Sequence, residues 1–171
     1  MTTTTQERSI TRAPTLTVDI SAMQVSSTPS DVIVTYSLGS CVGVTVYDPV
    51  ACVGGMIHCM LPLSKIDPEK AQARPCMFVD TGVPALLQAM FKLGATKKNL
   101  IVKVAGAGSP LGRDQVFKIG QRNYTVLRKL LWKNGILIQG ENVGGASART
   151  LYLDIASGRT IMKADGQEVE L

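Results

Sequence analysis

Hydrophobic residues alternate with small or polar ones along several short stretches, and this period of two is typical of β-strands. The clearest run is 42–47, where three valines alternate with Gly43, Thr45 and Tyr47 before an Asp-Pro pair ends it. A returning strand from Cys52 to His58 would form a hairpin with it. Further strands are predicted at 16–20, 32–36, 100–105, 136–139, 150–155 and 160–163, with a loop of turn-forming residues between the first two.

Two other stretches have apolar residues at the three- and four-residue spacing of an amphipathic helix. The first runs from Val83 to Phe91, with Pro84 in its first turn and Gly94 just past its end. The second runs from Tyr124 to Lys133, and Gly135 stops it. Because strands outnumber helices, we expect an α/β (α+β) fold in which one mixed sheet, or two packed sheets, is flanked by helices.

The length of 171 residues and the hydrophobic content of 45% suit one compact domain. Residues 1–15 are rich in Thr and contain no apolar run like that of a signal peptide, so we expect a disordered tail there and a single domain over 16–171. No stretch approaches the roughly 20 apolar residues of a membrane-spanning helix. We therefore expect a cytoplasmic protein whose four cysteines are free thiols.

Charge is unevenly distributed along the chain. Residues 90–163 contain 13 Lys or Arg against 3 Asp or Glu, whereas the rest of the chain contains 5 against 10. This basic segment predicts a face that attracts acidic partners. Nucleic acid is a weaker candidate partner, because the charges are dispersed over several elements and few aromatic residues accompany them.

Cys41 is the candidate nucleophile, since it follows a glycine in the link between two predicted strands. A nucleophilic cysteine needs a neighbouring base, and His58 is the one histidine of the chain. The predicted hairpin would bring His58 back beside the start of the strand that follows Cys41. The residues alone leave a second interpretation open, in which both are ordinary core side chains.

Several separated motifs share an order and spacing with a known family. They are Thr35, Leu38-Gly39-Ser40-Cys41-Val42, Tyr47-Asp48-Pro49, Gly55-Met56-Ile57-His58, Leu61-Pro62, Val79-Asp80, Gly94, Ile119-Gly120-Gln121-Arg122-Asn123, Val143-Gly144-Gly145, Arg149 and Gly158. With these motifs the chain resembles the chemoreceptor glutamine deamidase family, CheD, over roughly residues 16 to 163.

The resemblance implies a layered α/β sandwich similar to bacterial toxins that deamidate glutamine, and a site of Cys41, His58 and Thr35. Cys41 would attack the side-chain amide of a receptor glutamine, His58 would transfer the proton, and Thr35 would orient the imidazole. Gly39 and Ser40 would support backbone N–H donors to the oxyanion. The implied protein substrate is the cytoplasmic region of a chemotaxis receptor.

An alternative function remains: a non-catalytic regulatory partner of a chemotaxis phosphatase of the CheC type. We expect no cofactor, metal, nucleic acid or membrane insertion. The glycine-rich segment 105–112 lacks the Lys and Ser/Thr of a phosphate-binding loop, and the other cysteines lack metal-site spacing. That segment also departs from the family, which usually has a Gly-Gly pair there. Whether Arg122, Asn123 and Arg149 contact substrate or hold loops is open at this point.

Overall fold

The computed structural model describes residue 10 and residues 14–110 and 117–171. Its α-helices are Pro68–Ala73 (α1), Val79–Lys92 (α2) and Ile119–Lys133 (α3), with short 3-10 helices at Ser64–Ile66, Pro75–Met77 and Lys97–Asn99. Its strands are Leu16–Thr17 (β1), Met23–Ser26 (β2), Val32–Leu38 (β3), Val42–Asp48 (β4), Val53–Cys59 (β5), Ile101–Gly106 (β6), Ile138–Val143 (β7), Arg149–Asp154 (β8), Thr160–Ala164 (β9) and Gln167–Glu170 (β10).

The strands form two five-stranded mixed sheets that pack face to face. Sheet A has the order β1-β3-β8-β9-β10, and sheet B has the order β2-β5-β4-β6-β7. Each sheet contains one parallel pair, β1 with β3 and β6 with β7. Helices α2 and α3 cover the other face of sheet B, which gives three layers. The predicted fold class, a layered sandwich of mixed sheets flanked by helices, is confirmed.

Strand β4 is the centre of sheet B, and all of its residues are buried. Its three valines pack against the helices, while the alternate residues face sheet A. On that inner face Thr45 Oγ1 lies 3.1 Å from Thr160 Oγ1, and the Tyr47 hydroxyl donates to the Ile155 carbonyl at 3.0 Å. Polar contacts of this kind fix how the two sheets sit on each other.

Several predicted bounds are wrong in informative ways. Helix α2 begins at Val79, so Pro84 lies inside the helix and not in its first turn. Because proline has no N–H, it leaves the carbonyl four residues earlier without its helical donor. Strand β7 extends to Val143, well beyond the predicted end at 139, because its polar residues hydrogen-bond as an edge strand.

Three elements have little apolar content and are absent from the prediction. Strand β2 lies in the predicted loop and pairs with β5, and β10 is fully exposed and pairs with β9. Helix α1 has no buried residue and depends on local signals, namely Pro68 in its first turn and an Asp67 side chain that accepts from Lys70 N. Of the described residues, no helix is long and apolar enough to cross a membrane.

The tail predicted at 1–15 stays a prediction, because residues 1–9 and 11–13 lie outside the described part of the chain. Two of its positions are described in contact with the domain. Ile10 is buried in a small cluster with Val32 and Val34, and Thr15 N donates to the Val32 carbonyl at 2.9 Å.

Candidate active site

Thr35 lies on the face of β3 that packs against sheet B, immediately before a β-bulge. The pairing of β3 with β8 shifts between Thr35, which is opposite Leu151, and Leu38, which is opposite Arg149. Ser37 lies within this shift and has a φ of 59°, a left-handed conformation uncommon for a residue with a side chain. Thr35 and Leu38 are consequently both fully buried although they are three residues apart.

His58 lies on β5 opposite Gly43 of β4 and is fully buried. Its Nδ1 is 2.8 Å from Oγ1 of Thr35, on the facing sheet. The Thr35 hydroxyl is also 2.8 Å from the Val18 carbonyl, which can only accept. The single hydroxyl hydrogen therefore goes to Val18, and His58 Nδ1–H donates to Thr35. This arrangement fixes the tautomer in which Nε2 carries the lone pair.

The Nε2 atom of His58 is buried and has no hydrogen-bond partner among the described residues. Buried polar atoms are nearly always paired, so an unpaired imidazole nitrogen is a candidate for chemistry. Burial lowers the pKa of His58 from its ordinary value of 6.5 to about 4, so the ring is neutral at pH 7. A neutral Nε2 is able to accept a proton from a thiol.

Cys41 lies in the turn between β3 and β4, and its half-buried side chain packs with the cluster between the two sheets. Gly43, two residues later, is the residue opposite His58. Because residues two apart along a strand share a face, Cys41 and His58 lie on the inner face at the same end of their strands. Burial raises the pKa of the Cys41 thiol, and a hydrogen bond from its own N–H opposes this rise. The resting state is therefore a neutral thiol and a neutral imidazole.

The three carbonyls of the Cys41 turn are all held by hydrogen bonds. Gly39 O accepts from Gly108 N at 2.8 Å, Ser40 O from Asn123 Nδ2 at 3.0 Å, and Cys41 O from Ala107 N at 2.7 Å. Since every described peptide is trans, the N–H groups of Ser40 and Cys41 point away from these partners. Neither N–H donates to another described residue. They are candidate donors to an oxyanion.

Small residues allow the loop after β6 to approach this turn. Gly106 has a φ of 97°, and a Cβ there would lie 2.4 Å from the Cys41 carbonyl oxygen. A Cβ at Gly120, in the first turn of α3, would lie 2.3 Å from the Gly108 carbonyl oxygen. The loop therefore fits between the Cys41 turn and α3 only because both positions are glycine. Part of the glycine-rich segment noted in the sequence, 111–112, lies outside the described residues.

The structure shows where the three polar residues lie whose roles the sequence left open. The buried guanidinium of Arg149 donates to Asn142 Oδ1 and to two carbonyls of the loop that precedes β8. Arg149 thus holds that loop. Arg122 is exposed on α3. Asn123 is fully buried, and its Nδ2 joins the Cys41 turn to the end of β5.

Asn123 contacts the Cys41 turn directly, and the sequence carries a signal for it. Its neighbours at helical spacing, Gly120, Leu127 and Leu131, form the buried face of α3. A polar side chain within such an apolar stripe requires a buried partner. That partner, the carbonyl of Ser40, is 83 residues away along the chain and is not apparent from sequence spacing.

The other three cysteines differ from Cys41. Cys59 is fully buried and Cys76 half-buried, and burial raises the pKa of each thiol. Cys52 is exposed in the turn between β4 and β5, at the far end of the hairpin. All four are unpaired, as predicted. Within the described residues no group of three or more His, Cys, Asp or Glu side chains could hold a metal ion.

Two cavities border the loops that surround the Cys41 turn. One, of about 360 Å³, is lined by Pro62, Phe117 and neighbouring residues of α3, and the other, of about 280 Å³, by the 107–109 and 144–145 loops. Both include Lys118 and Gln121. A larger cavity of about 530 Å³ lies elsewhere, between α3 and β7. Together, the cavities of about 360 and 280 Å³ form a surface depression beside the Cys41 turn, and Lys118 and Arg122 make its lining basic.

Comparison with known proteins identifies related sequences. Residues 60–164 match the family described as CheD chemotactic sensory transduction, a match that begins two residues after His58. A "Probable chemoreceptor glutamine deamidase CheD" from Solibacter usitatus is 47% identical over 90% of this chain and 91% of that protein. "Probable chemoreceptor glutamine deamidase CheD 1" from Syntrophus aciditrophicus is 48% identical over 87% of this chain and 93% of that protein.

A more distant relative, "Probable chemoreceptor glutamine deamidase CheD 2" from Anaeromyxobacter dehalogenans, is 39% identical over 91% of this chain and 98% of that protein. Among solved structures, the Bacillus licheniformis hypothetical protein YfiH aligns with a TM-score of 0.45 and 18% identity, covering 72% of this chain and 50% of that one. That score is too low to carry an argument, so the fold class rests on the strands and helices described above.

Proposed function

This chain belongs to the CheD family, and we propose that it hydrolyses glutamine side chains of chemotaxis receptors to glutamate, with release of ammonia. In this proposal Cys41 is the nucleophile, His58 the general base and Thr35 the residue that orients His58. The observation that carries it is the unpaired Nε2 of His58, which the Thr35 hydrogen bond fixes as an acceptor on the face shared with Cys41. The names of the relatives supply the substrate class.

The first half of the reaction forms a thioester. His58 Nε2 takes the proton from the Cys41 thiol as Sγ attacks the side-chain amide carbon of glutamine, and the amide oxygen becomes an oxyanion. The imidazolium then gives its proton to the departing nitrogen, which leaves as ammonia. The neutral resting pair suits this order, because burial disfavours a standing thiolate and imidazolium.

The second half hydrolyses the thioester. His58 Nε2 takes a proton from water, the hydroxide attacks the thioester carbon, and the collapse of the oxyanion releases the Cys41 thiolate. That thiolate takes the proton back from His58, which leaves glutamate and the starting enzyme. The N–H groups of Ser40 and Cys41, neither of which donates to another described residue, support both oxyanions in the proposal.

The charge of the chain supports an acidic protein substrate. Residues 90–163 carry the excess of Lys and Arg, and Lys118 and Arg122 line the cavity beside α3. We infer that this basic face attracts the cytoplasmic helical region of a receptor and that the protein acts in the cytoplasm. Association with a CheC-type phosphatase, in competition with the receptor, stays a prediction.

The test is incubation with receptor cytoplasmic fragments. Ammonia release and the glutamine-to-glutamate mass change in receptor peptides should appear with the native chain and disappear with Cys41→Ala. The matched control is Cys52→Ala, because Cys52 is an exposed thiol at the far end of the β4–β5 hairpin and should retain full activity.

Two outcomes would redirect the proposal. If the native chain binds a receptor or a phosphatase but converts no glutamine, the regulatory binding function replaces catalysis. If a labelled primary amine is incorporated in place of water, the same thioester serves acyl transfer and not hydrolysis.

A further inference from the structure

One of the three held carbonyls of the Cys41 turn differs from the others. The carbonyls of Gly39 and Cys41 accept from backbone N–H groups, whereas the Ser40 carbonyl accepts from a side chain, the amide of Asn123 at 3.0 Å. The Ser40 carbonyl and the Cys41 N–H belong to one peptide unit. The side chain of Asn123 therefore sets the direction of the Cys41 N–H.

The neighbouring ladder does not use the Cys41 N–H. Ala107 N donates to the Cys41 carbonyl at 2.7 Å, as in a regular antiparallel pair. The reciprocal bond, from Cys41 N to the Ala107 carbonyl, is not formed. Ala107 is in the left-handed conformation, with a φ of 51°, and its carbonyl lies beside Gly120 of α3, so the Cys41 N–H is left available to meet a negative charge. It already lies close enough to its own Sγ to favour the thiolate.

The Asn123 amide is rigidly placed for this role. It is fully buried on α3, and its Nδ2 also donates to the Met60 carbonyl at 3.0 Å, immediately after the strand that carries His58. Its Oδ1 is buried without a hydrogen-bond partner among the described residues. Such an unpaired acceptor opposes folding, so stability alone does not account for an asparagine here.

We propose that Asn123 is a positioning residue that holds the Ser40–Cys41 peptide so that the Cys41 N–H points at the oxyanion of the deamidation reaction. The inference rests on the proposed function for its chemistry and on the two Nδ2 hydrogen bonds for its geometry. Without the amide, the Ser40 carbonyl loses the hydrogen bond that fixes the direction of this peptide, and the peptide is free to rotate. The oxyanion would then lose a preorganised donor.

The kinetic test compares Asn123→Ala with the native protein on receptor fragments. We expect kcat to fall about 100-fold, the scale of a small misplacement of a reacting group, with KM nearly unchanged. Asn134→Ala is the matched control, because Asn134 caps the C-terminal end of the same helix and its Nδ2 also donates to a backbone carbonyl, yet it is exposed and lies far from the Cys41 turn. A kcat for Asn123→Ala within about threefold of the native value would overturn the proposal.

A second readout does not depend on deamidation. Iodoacetamide alkylates a thiolate without forming an oxyanion, and peptide mass spectrometry reports the rate at Cys41 alone. In Asn123→Ala the midpoint of the alkylation pH profile should rise, while the limiting rate at high pH stays within about threefold of the native rate. An unchanged midpoint would overturn the proposed positioning role of Asn123 even if the native chain proved not to be a deamidase.

A third variant covers the case in which the alanine substitution prevents folding. Asn123→Asp keeps the size but loses both donors when ionised and regains one when protonated. Its kcat relative to the native protein should therefore rise as the pH is lowered. A ratio that does not change with pH, in a folded protein, would assign Asn123 a packing role only and overturn the proposal.

Discussion

The two ends of strand β4 contain buried polar groups in opposite states. At one end, the buried Asp48 carboxylate accepts from Val50 N at 2.8 Å, Ala51 N at 3.0 Å and Thr96 N at 2.8 Å. At the other end, beside Cys41, the Nε2 of His58 and the Oδ1 of Asn123 are buried without partners among the described residues. Roughly 20 Å of strand separates the two ends.

The difference separates a structural site from a reactive one. Burial pushes the pKa of Asp48 up, but hydrogen bonds from the N–H groups of Ala51, Thr96 and Val50 outweigh it and hold the pKa below its ordinary value. A carboxylate in this state fixes the turn after β4 and stays ionised, because both of its oxygens already accept hydrogen bonds. At the Cys41 end burial is the larger influence on the pKa values of Cys41 and His58, so the thiol and the imidazole stay neutral and able to exchange protons.

The largest expected effect is at the reactive end. Cys41→Ala should lower the deamidation rate by about 10⁴-fold or more, because it removes the nucleophile of a covalent mechanism. Its unfolding free energy should change by less than about 1 kcal/mol, because the side chain is small and half-buried. Receptor deamidation assays and urea unfolding measure the two quantities. Retained activity in Cys41→Ala would show that the Cys41 end of β4 is not the reactive end.

The structural end should show the reverse behaviour. Asp48→Ala removes the acceptor of three backbone N–H groups, and we expect the unfolding free energy to fall by about 4 kcal/mol. The rate per folded molecule should stay near the native value. Asp48→Asn keeps one acceptor oxygen and should be less destabilising. Urea unfolding measures the loss, and a lower kcat in folded Asp48→Ala would mean that the two ends are coupled.

The two ends of β4 should lose their contributions to stability at different pH values. The pKa of His58 is about 4 in the folded protein against an ordinary value of 6.5, so the unfolded chain binds the extra proton first as the pH falls. The contribution of neutral His58 to the free energy of unfolding is therefore complete above pH 6.5. It is lost as the pH falls from 6.5 to 4, by up to about 3 kcal/mol. The Asp48 contribution is lost only below its ordinary value of 3.8.

The measurement is urea unfolding from pH 7 to pH 4 for the native chain, His58→Gln and Asp48→Asn. The loss of stability in this window should be smaller in His58→Gln than in the native chain, and unchanged in Asp48→Asn. Equal losses in the native chain and His58→Gln would show that His58 is already solvated in the folded state.

How far the sequence could anticipate this contrast depends on the range of the interactions. The β4–β5 hairpin was predictable because alternating valines and an Asp-Pro stop are local signals. The same hairpin brings His58 opposite Gly43, so its proximity to Cys41 was also accessible. Strand β2 was missed because it is stabilised by ladder bonds to the distant strand β5. Strand β10 was missed although it pairs with β9 across the two-residue turn Asp165-Gly166, because it is fully exposed and has few apolar residues.

The state of each polar group was not predictable in the same way. Tyr47-Asp48-Pro49 and Cys41 both belong to the motifs shared with the family, and the motifs do not distinguish a saturated carboxylate from an unpaired base. The distinction depends on Thr96 and Asn123, which approach the ends of β4 from 48 and 83 residues away in the chain. Only the packing of the helices on sheet B reveals these contacts.

The smallest expected effect concerns the one hydrogen bond that His58 does make. Thr35→Val keeps the shape of the side chain but removes the hydroxyl, so His58 Nδ1–H and the Val18 carbonyl both lose their partner. The imidazole would no longer be held in one tautomer, and we expect kcat per folded molecule to fall about tenfold, with Thr35→Ser close to the native value. Steady-state deamidation by the three proteins, corrected for folded fraction, measures this. If Thr35→Val equals the native chain, packing between the sheets alone orients His58, and its reactivity follows from burial without help from Thr35.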